Sequence, residues 1–154
     1  MSRVLIIAYG NPLRSDDGIA WRAADELKRK AGSAAAEIIC VHQLMPELAE
    51  QVSHAENVIF LDASCKGEPG TITCQPVSAQ STDAQFWHQL TPDSLLALSA
   101  QLFGTAPRAF SASFSGESFD HGDTLSQTAI VGLPLLVARV SELVGHLADP
   151  SFAL

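Results

Sequence analysis

The stretch Val4-Leu5-Ile6-Ile7-Ala8-Tyr9-Gly10-Asn11-Pro12-Leu13-Arg14-Ser15-Asp16-Asp17-Gly18 decides the fold. Val4 to Ala8 is a continuous β-prone apolar run with no polar alternation, the pattern of a strand covered on both faces. Gly10-Asn11-Pro12 ends it, because these residues favour turns and proline cannot extend a ladder. The period then changes. From Asp17 to Ala31, Ile19, Ala23, Leu27 and Ala31 recur every four residues while Arg22, Asp25, Glu26, Arg29 and Lys30 fall elsewhere, which predicts an amphipathic helix with Gly32 as its cap. A central strand that turns directly into a helix is the first half of a parallel βαβ unit.

The rest of the chain repeats this alternation. Glu37 to His42 reads as a strand, Pro46 to Ser53 as a helix, and Val58-Ile59-Phe60-Leu61 as a second doubly covered strand ending at Asp62. Glu68-Pro69-Gly70 turns into Thr71 to Cys74, an antiparallel addition. Thr91-Pro92 is an N-cap followed by proline at the first helical position, opening a helix that carries Leu95, Leu98 and Leu102. Arg108 to Phe114 supplies a last strand, Gly116 to Asp123 a polar loop, and Leu125 to Leu147 a long apolar helix that Pro134 should kink. The expected architecture is a three-layer α/β/α sandwich around a mixed, mostly parallel sheet of about five strands. Its 154 residues suit a single domain covering 1–154.

Composition narrows the function. Seventeen acidic against nine basic residues give a net charge of -8, which disfavours nucleic acid and anionic membranes, since phosphate binding needs clustered Lys and Arg. The one dense basic run, Lys28-Arg29-Lys30, follows Asp25 and Glu26 and fits i,i+4 pairing on a solvated helix face. The longest apolar run, Ala129 to Ala138, falls short of the roughly 18 residues of a membrane span. Three cysteines without C-x-x-C spacing and no recognisable signal peptide point to a reducing cytoplasm. Cys65 reads as a small buried hydrophobe.

Ligands of open α/β sheets bind beyond the carboxyl ends of the strands, where strand order reverses. That directs attention to Gly10–Gly18 and Asp62. The first turn lacks both G-x-G-x-x-G and Gly-Lys-Ser/Thr, and it places two carboxylates where a phosphate would sit. Such a turn suits a cation or a proton. The plainer alternative is that Ser15 or Asp16 caps the helix and Asp17 complements its dipole. Asp62 weighs against it, because neighbouring parallel strands would bring Asp62 near Asp17. His42, His54, His121 and His146 have no pairing at ligand spacing and read as structural or solvated. Ser113 and Ser115 lack the G-x-S-x-G elbow of a serine hydrolase.

Gly10-Asn11-x-Leu13-x-x-Asp16-Asp17-Gly18, with Asp62-Ala63 closing a later strand, resembles the [NiFe] hydrogenase maturation endopeptidases. Weaker likenesses lie in Leu90 to Leu96, Gly116-Glu117-Ser118-Phe119 and Leu125-Ser126. The resemblance implies a nickel-dependent endopeptidase that removes the C-terminal peptide of a [NiFe] hydrogenase large-subunit precursor after nickel insertion. It assigns Asp17 and Asp62 as catalytic and nickel-contacting residues. The nickel would come with the precursor, and no tightly bound cofactor is expected. The family's third contact is a histidine, and here the chain departs: Thr91-Pro92-Asp93 aligns with the Ser-Pro-His of some members. His88 is preferred over Asp93 because nickel favours imidazole over a third carboxylate. Ala20 also replaces a frequent family glycine. The alternatives are a non-catalytic nickel-checking or docking factor and an unrelated α/β hydrolase using an aspartate pair.

Overall fold

The computed structural model describes residues 3–31, 36–80 and 90–149. Five strands, β1 (Val4–Tyr9), β2 (Glu37–Val41), β3 (Asn57–Ser64), β4 (Ile72–Val77) and β5 (Arg108–Ser115), form one sheet in the order β2-β1-β3-β5-β4. All neighbours run parallel except β4, which pairs antiparallel with β5 at the edge. The helices are α1 (Ile19–Ala31), α2 (Leu48–Ser53), α3 (Pro92–Phe103) and α4 (Gln127–Ala148).

The uninterrupted apolar runs explain the layers. Along β1, Val4, Ile6 and Ala8 face one core with α1 and α4, while Leu5 and Ile7 face a second core with α2 and α3. In β3, Ile59 and Leu61 join the first core and Val58 and Phe60 the second. Both faces of the central strands are therefore covered, as a parallel sheet requires. The three-layer sandwich expected from the sequence is the observed architecture.

Helix ends follow local chemistry. Thr91 is the N-cap of α3, with Pro92 at its first position, and Thr91 and Ser94 exchange hydrogen bonds in a capping box. Gly104 ends α3 in the left-handed region at φ 79°, which only glycine adopts without a Cβ penalty. Ser126 caps α4 by accepting from the Ala129 N–H at 3.2 Å.

Several boundaries differ from the sequence reading. β3 continues through Ser64, so Asp62 lies inside the strand and not just after it. A separate turn of 3-10 helix, Ser15–Gly18, precedes α1. Its N-cap residue is Arg14, which makes no side-chain cap bond, so neither Ser15 nor Asp16 caps the helix. Arg29 pairs with Glu26 at i,i+3 and not i,i+4. Cys65 is exposed, not buried, because it lies in the loop beyond β3. The helix cap expected at Gly32 lies outside the described residues. α4 is long and apolar enough to cross a membrane by length and composition, although its uninterrupted apolar run is too short. In the fold it lies against α1, β1 and β5, and Leu136, Val137 and Val140 on its inner side are buried.

One contact on that inner side sets a tolerance. A Cβ at Gly132 of α4 would stand 2.3 Å from Cε1 of the fully buried Phe114 of β5. Replacement by alanine gains about 1 kcal/mol of helix propensity but forces a packed ring to move, an overpacking cost of about 1–3 kcal/mol. Gly132→Ala is expected to lower the urea midpoint with an unchanged m-value.

Candidate functional site

The strand order reverses between β1 and β3, since the chain leaves β1 for β2 on one side and reaches β3 on the other. The crevice beyond the carboxyl ends of these two strands is where this sheet type binds ligands. Asp17 enters it from the turn after β1, and Asp62 from the end of β3.

The first turn is built around its two acids, which do different work. Asp16 is fully buried and faces away from the crevice. Its Oδ2 accepts from the Glu117 N–H at 2.8 Å, the Ser118 N–H at 3.1 Å and the Ser126 hydroxyl at 2.7 Å, and its Oδ1 accepts from the Ser126 N–H at 2.8 Å. Burial pushes the carboxyl up, but these bonds outweigh it and hold Asp16 below the usual carboxylate value. Further bonds stitch the same segment down. The Ser15 N–H donates to the Gly122 carbonyl at 2.9 Å, the Asp16 N–H to the Ser118 carbonyl at 3.0 Å, and the Ser15 hydroxyl to the Asp120 carbonyl at 2.8 Å. Ser15 adopts a left-handed φ of 51° to make this join. The sequence reading of two carboxylates side by side in the crevice is thus corrected: Asp16 is a structural anchor and Asp17 alone faces the site from this turn.

Asp17 is held by the backbone of its own loop. Its Oδ2 accepts from the Asn11 N–H at 2.7 Å. Asn11 in turn accepts from the Leu13 N–H through Oδ1 at 2.9 Å, which shapes the loop. Gly10, at φ 148°, is required because a Cβ there would lie 2.2 Å from the Asp17 carbonyl oxygen. A Cβ at Gly18 would stand 2.8 Å from Pro12 Cα. The spacing of the first motif therefore records a loop folded tightly over Asp17.

Asp62 is flanked by two groups that the sequence reading did not select. The Tyr9 hydroxyl, at the end of β1, donates to Asp62 Oδ2 at 3.1 Å. Ser113, the register partner of Asp62 on β5, stands beside it and lowers its pKa. Burial raises the Asp62 pKa above the usual value, Ser113 and Tyr9 counteract it, and the charge of Asp17 pushes it up again. Asp62 therefore lies near enough to Asp17 to feel its charge. Asp93, in the first turn of α3, also acts on the Tyr9 hydroxyl, whose pKa is raised chiefly by burial and then by Asp62. Asp93 Oδ1 accepts a bond from the Thr91 hydroxyl. His88 lies outside the described residues. Among the described residues, no three His, Cys, Asp or Glu side chains gather to hold a metal ion.

A carboxyl whose folded pKa is raised is a burden when ionised. Between the ordinary aspartate value of 3.8 and its raised folded value, Asp62 binds more protons in the native than in the unfolded state, so stability falls as pH rises through this window. Asn can keep accepting from Tyr9 without the charge. Asp62→Asn is expected to raise the thermal midpoint at pH 7, and the gain should shrink as the pH is lowered through that window in matched melting curves.

No protein-family model matches the chain, and no curated protein matches it. Solved structures do. Hydrogenase maturating endopeptidase HybD from E. coli superposes with a TM-score of 0.75 at 20% identity, over 93% of this chain and 92% of its own. [NiFe] hydrogenase maturation protease HybD from Thermococcus kodakarensis gives 0.70 at 22% identity, over 92% and 99%. [NiFe] hydrogenase maturation protease HycI from the same organism gives 0.74 at 17% identity, over 94% and 93%. The chain shares their fold over nearly its whole length.

Proposed function

We propose that this chain is an endopeptidase that removes the C-terminal peptide of a [NiFe] hydrogenase large-subunit precursor once nickel is in place. The observation that carries the reading is the coupled Asp17–Asp62 pair at the β1–β3 switch point, in a fold shared with structures named as hydrogenase maturation proteases.

Nickel enters as part of the substrate and supplies a Lewis acid. Asp17, Asp62 and His88 are its proposed contacts, engaging coordination positions that the precursor leaves open. A set of this kind reads the presence of metal without needing a resident ion. Asp62, raised by burial, is suited to take a proton from the attacking water and return it to the leaving amine. Three free cysteines, one of them exposed, accord with work in a reducing cytoplasm.

One observation favours a second reading, a nickel-checking docking factor that does not cleave. An aspartate, Asp93, stands where the resembled family carries its histidine, and it is engaged by the α3 cap.

Incubation of nickel-loaded and nickel-free precursor with the wild-type chain, followed by intact mass, separates the two. Loss of a C-terminal peptide from the loaded precursor alone is expected, with Asp17→Asn slowing it at least about a hundredfold. Binding without any mass change would favour the docking factor. His88→Ala should lower the rate more than Asp93→Ala in the same assay; the reverse order would move the third contact to α3.

A further inference from the structure

Register places three side chains in a row across the carboxyl end of the sheet. Asp62 pairs with Ser113 on β5, and the β1–β3 pairing of Ala8 with Leu61 puts Tyr9 beside Asp62 on the other flank. All three face the α2–α3 side, since Tyr9 follows Ile7, Asp62 follows Phe60, and Ser113 continues the side of Ala109. Asp62 thus has a hydroxyl residue beside it on each neighbouring strand, and the Tyr9 hydroxyl donates to it.

We propose that Tyr9 is a positioning residue for Asp62, its hydroxyl fixing Oδ2 so that the carboxylate presents its remaining lone pairs to the substrate's metal in a set orientation. This rests on the function proposed above. The geometry is that of an outer-shell partner, whose removal from a metal-contacting group costs about 10- to 100-fold in affinity or activity. The aromatic ring packs against the α2–α3 core, whereas the hydroxyl is spent on Asp62 at 3.1 Å.

Tyr9→Phe keeps the ring and deletes the hydroxyl. With nickel-loaded precursor it is expected to lower kcat/KM about 10- to 100-fold, mainly through KM, while the chain stays folded at the assay temperature. Calorimetric titration with Ni²⁺ alone should show a weaker Kd for Tyr9→Phe, and no further weakening when Tyr9→Phe is added to Asp62→Asn. Wild-type kcat/KM in Tyr9→Phe, or an equal loss of Ni²⁺ affinity in the Asp62→Asn background, overturns the positioning role. Should the wild-type chain leave loaded precursor intact, the protease reading fails, and the Ni²⁺ cycle alone decides the role of Tyr9.

Discussion

A single buried charge organises the site. An ionised carboxylate inside a protein is costly unless it is surrounded by donors, and Asp16 meets that demand with three backbone N–H groups and one hydroxyl. The donors come from residues 117–126, about as far along the chain as a whole small domain. The charge thus dictates where that segment must lie. It draws the loop after β5 against the turn after β1 and sets the start of α4. Charge-assisted bonds of this kind contribute about 1.5–3 kcal/mol each, which is enough for one residue to hold three elements in register.

With Asp16 committed to structure, its neighbour is free for chemistry. Adjacent residues in a tight turn point in different directions, so one acid is buried against residues 117–126 while Asp17 accepts from Asn11 within electrostatic reach of Asp62. The glycines at 10 and 18 are the steric condition for this division, because the loop passes too close to itself for any Cβ. Across the crevice, Asp62 is kept part-buried near a second acid although its burial works against its charge. Such unfavourable placement is typical of functional groups and marks the site as selected for something other than stability.

What the sequence disclosed and what it withheld follow from the range of the forces involved. β1 and β3 were legible because both faces of each are apolar over consecutive residues, and α3 because Thr91-Pro92 is a local signal. The nearness of Asp17 and Asp62 was legible because strand ends in parallel sheets converge. Asp16 was misread as a cap or as half of an acidic pair, since its partners are more than a hundred positions away. Their own motifs, Gly116 to Phe119 and Leu125-Ser126, seemed separate features and are in fact its ligands. Tyr9 and Ser113 were missed because their link to Asp62 depends on strand register. For Tyr9, a polar residue at the last position of an otherwise apolar strand was the available signal. Cys65 was misplaced because residue type alone was used to judge its burial.

Ser126 gives the arrangement a mechanical character. The same hydroxyl oxygen accepts from Ala129 to begin α4 and donates to Asp16 in the turn that carries Asp17. The helix and the acidic turn are therefore joined through one residue. α4 exposes Ile130, Val131 and Leu135 on its outer surface. An axial shift of α4 must break the Ser126 bonds or carry the acidic turn with it.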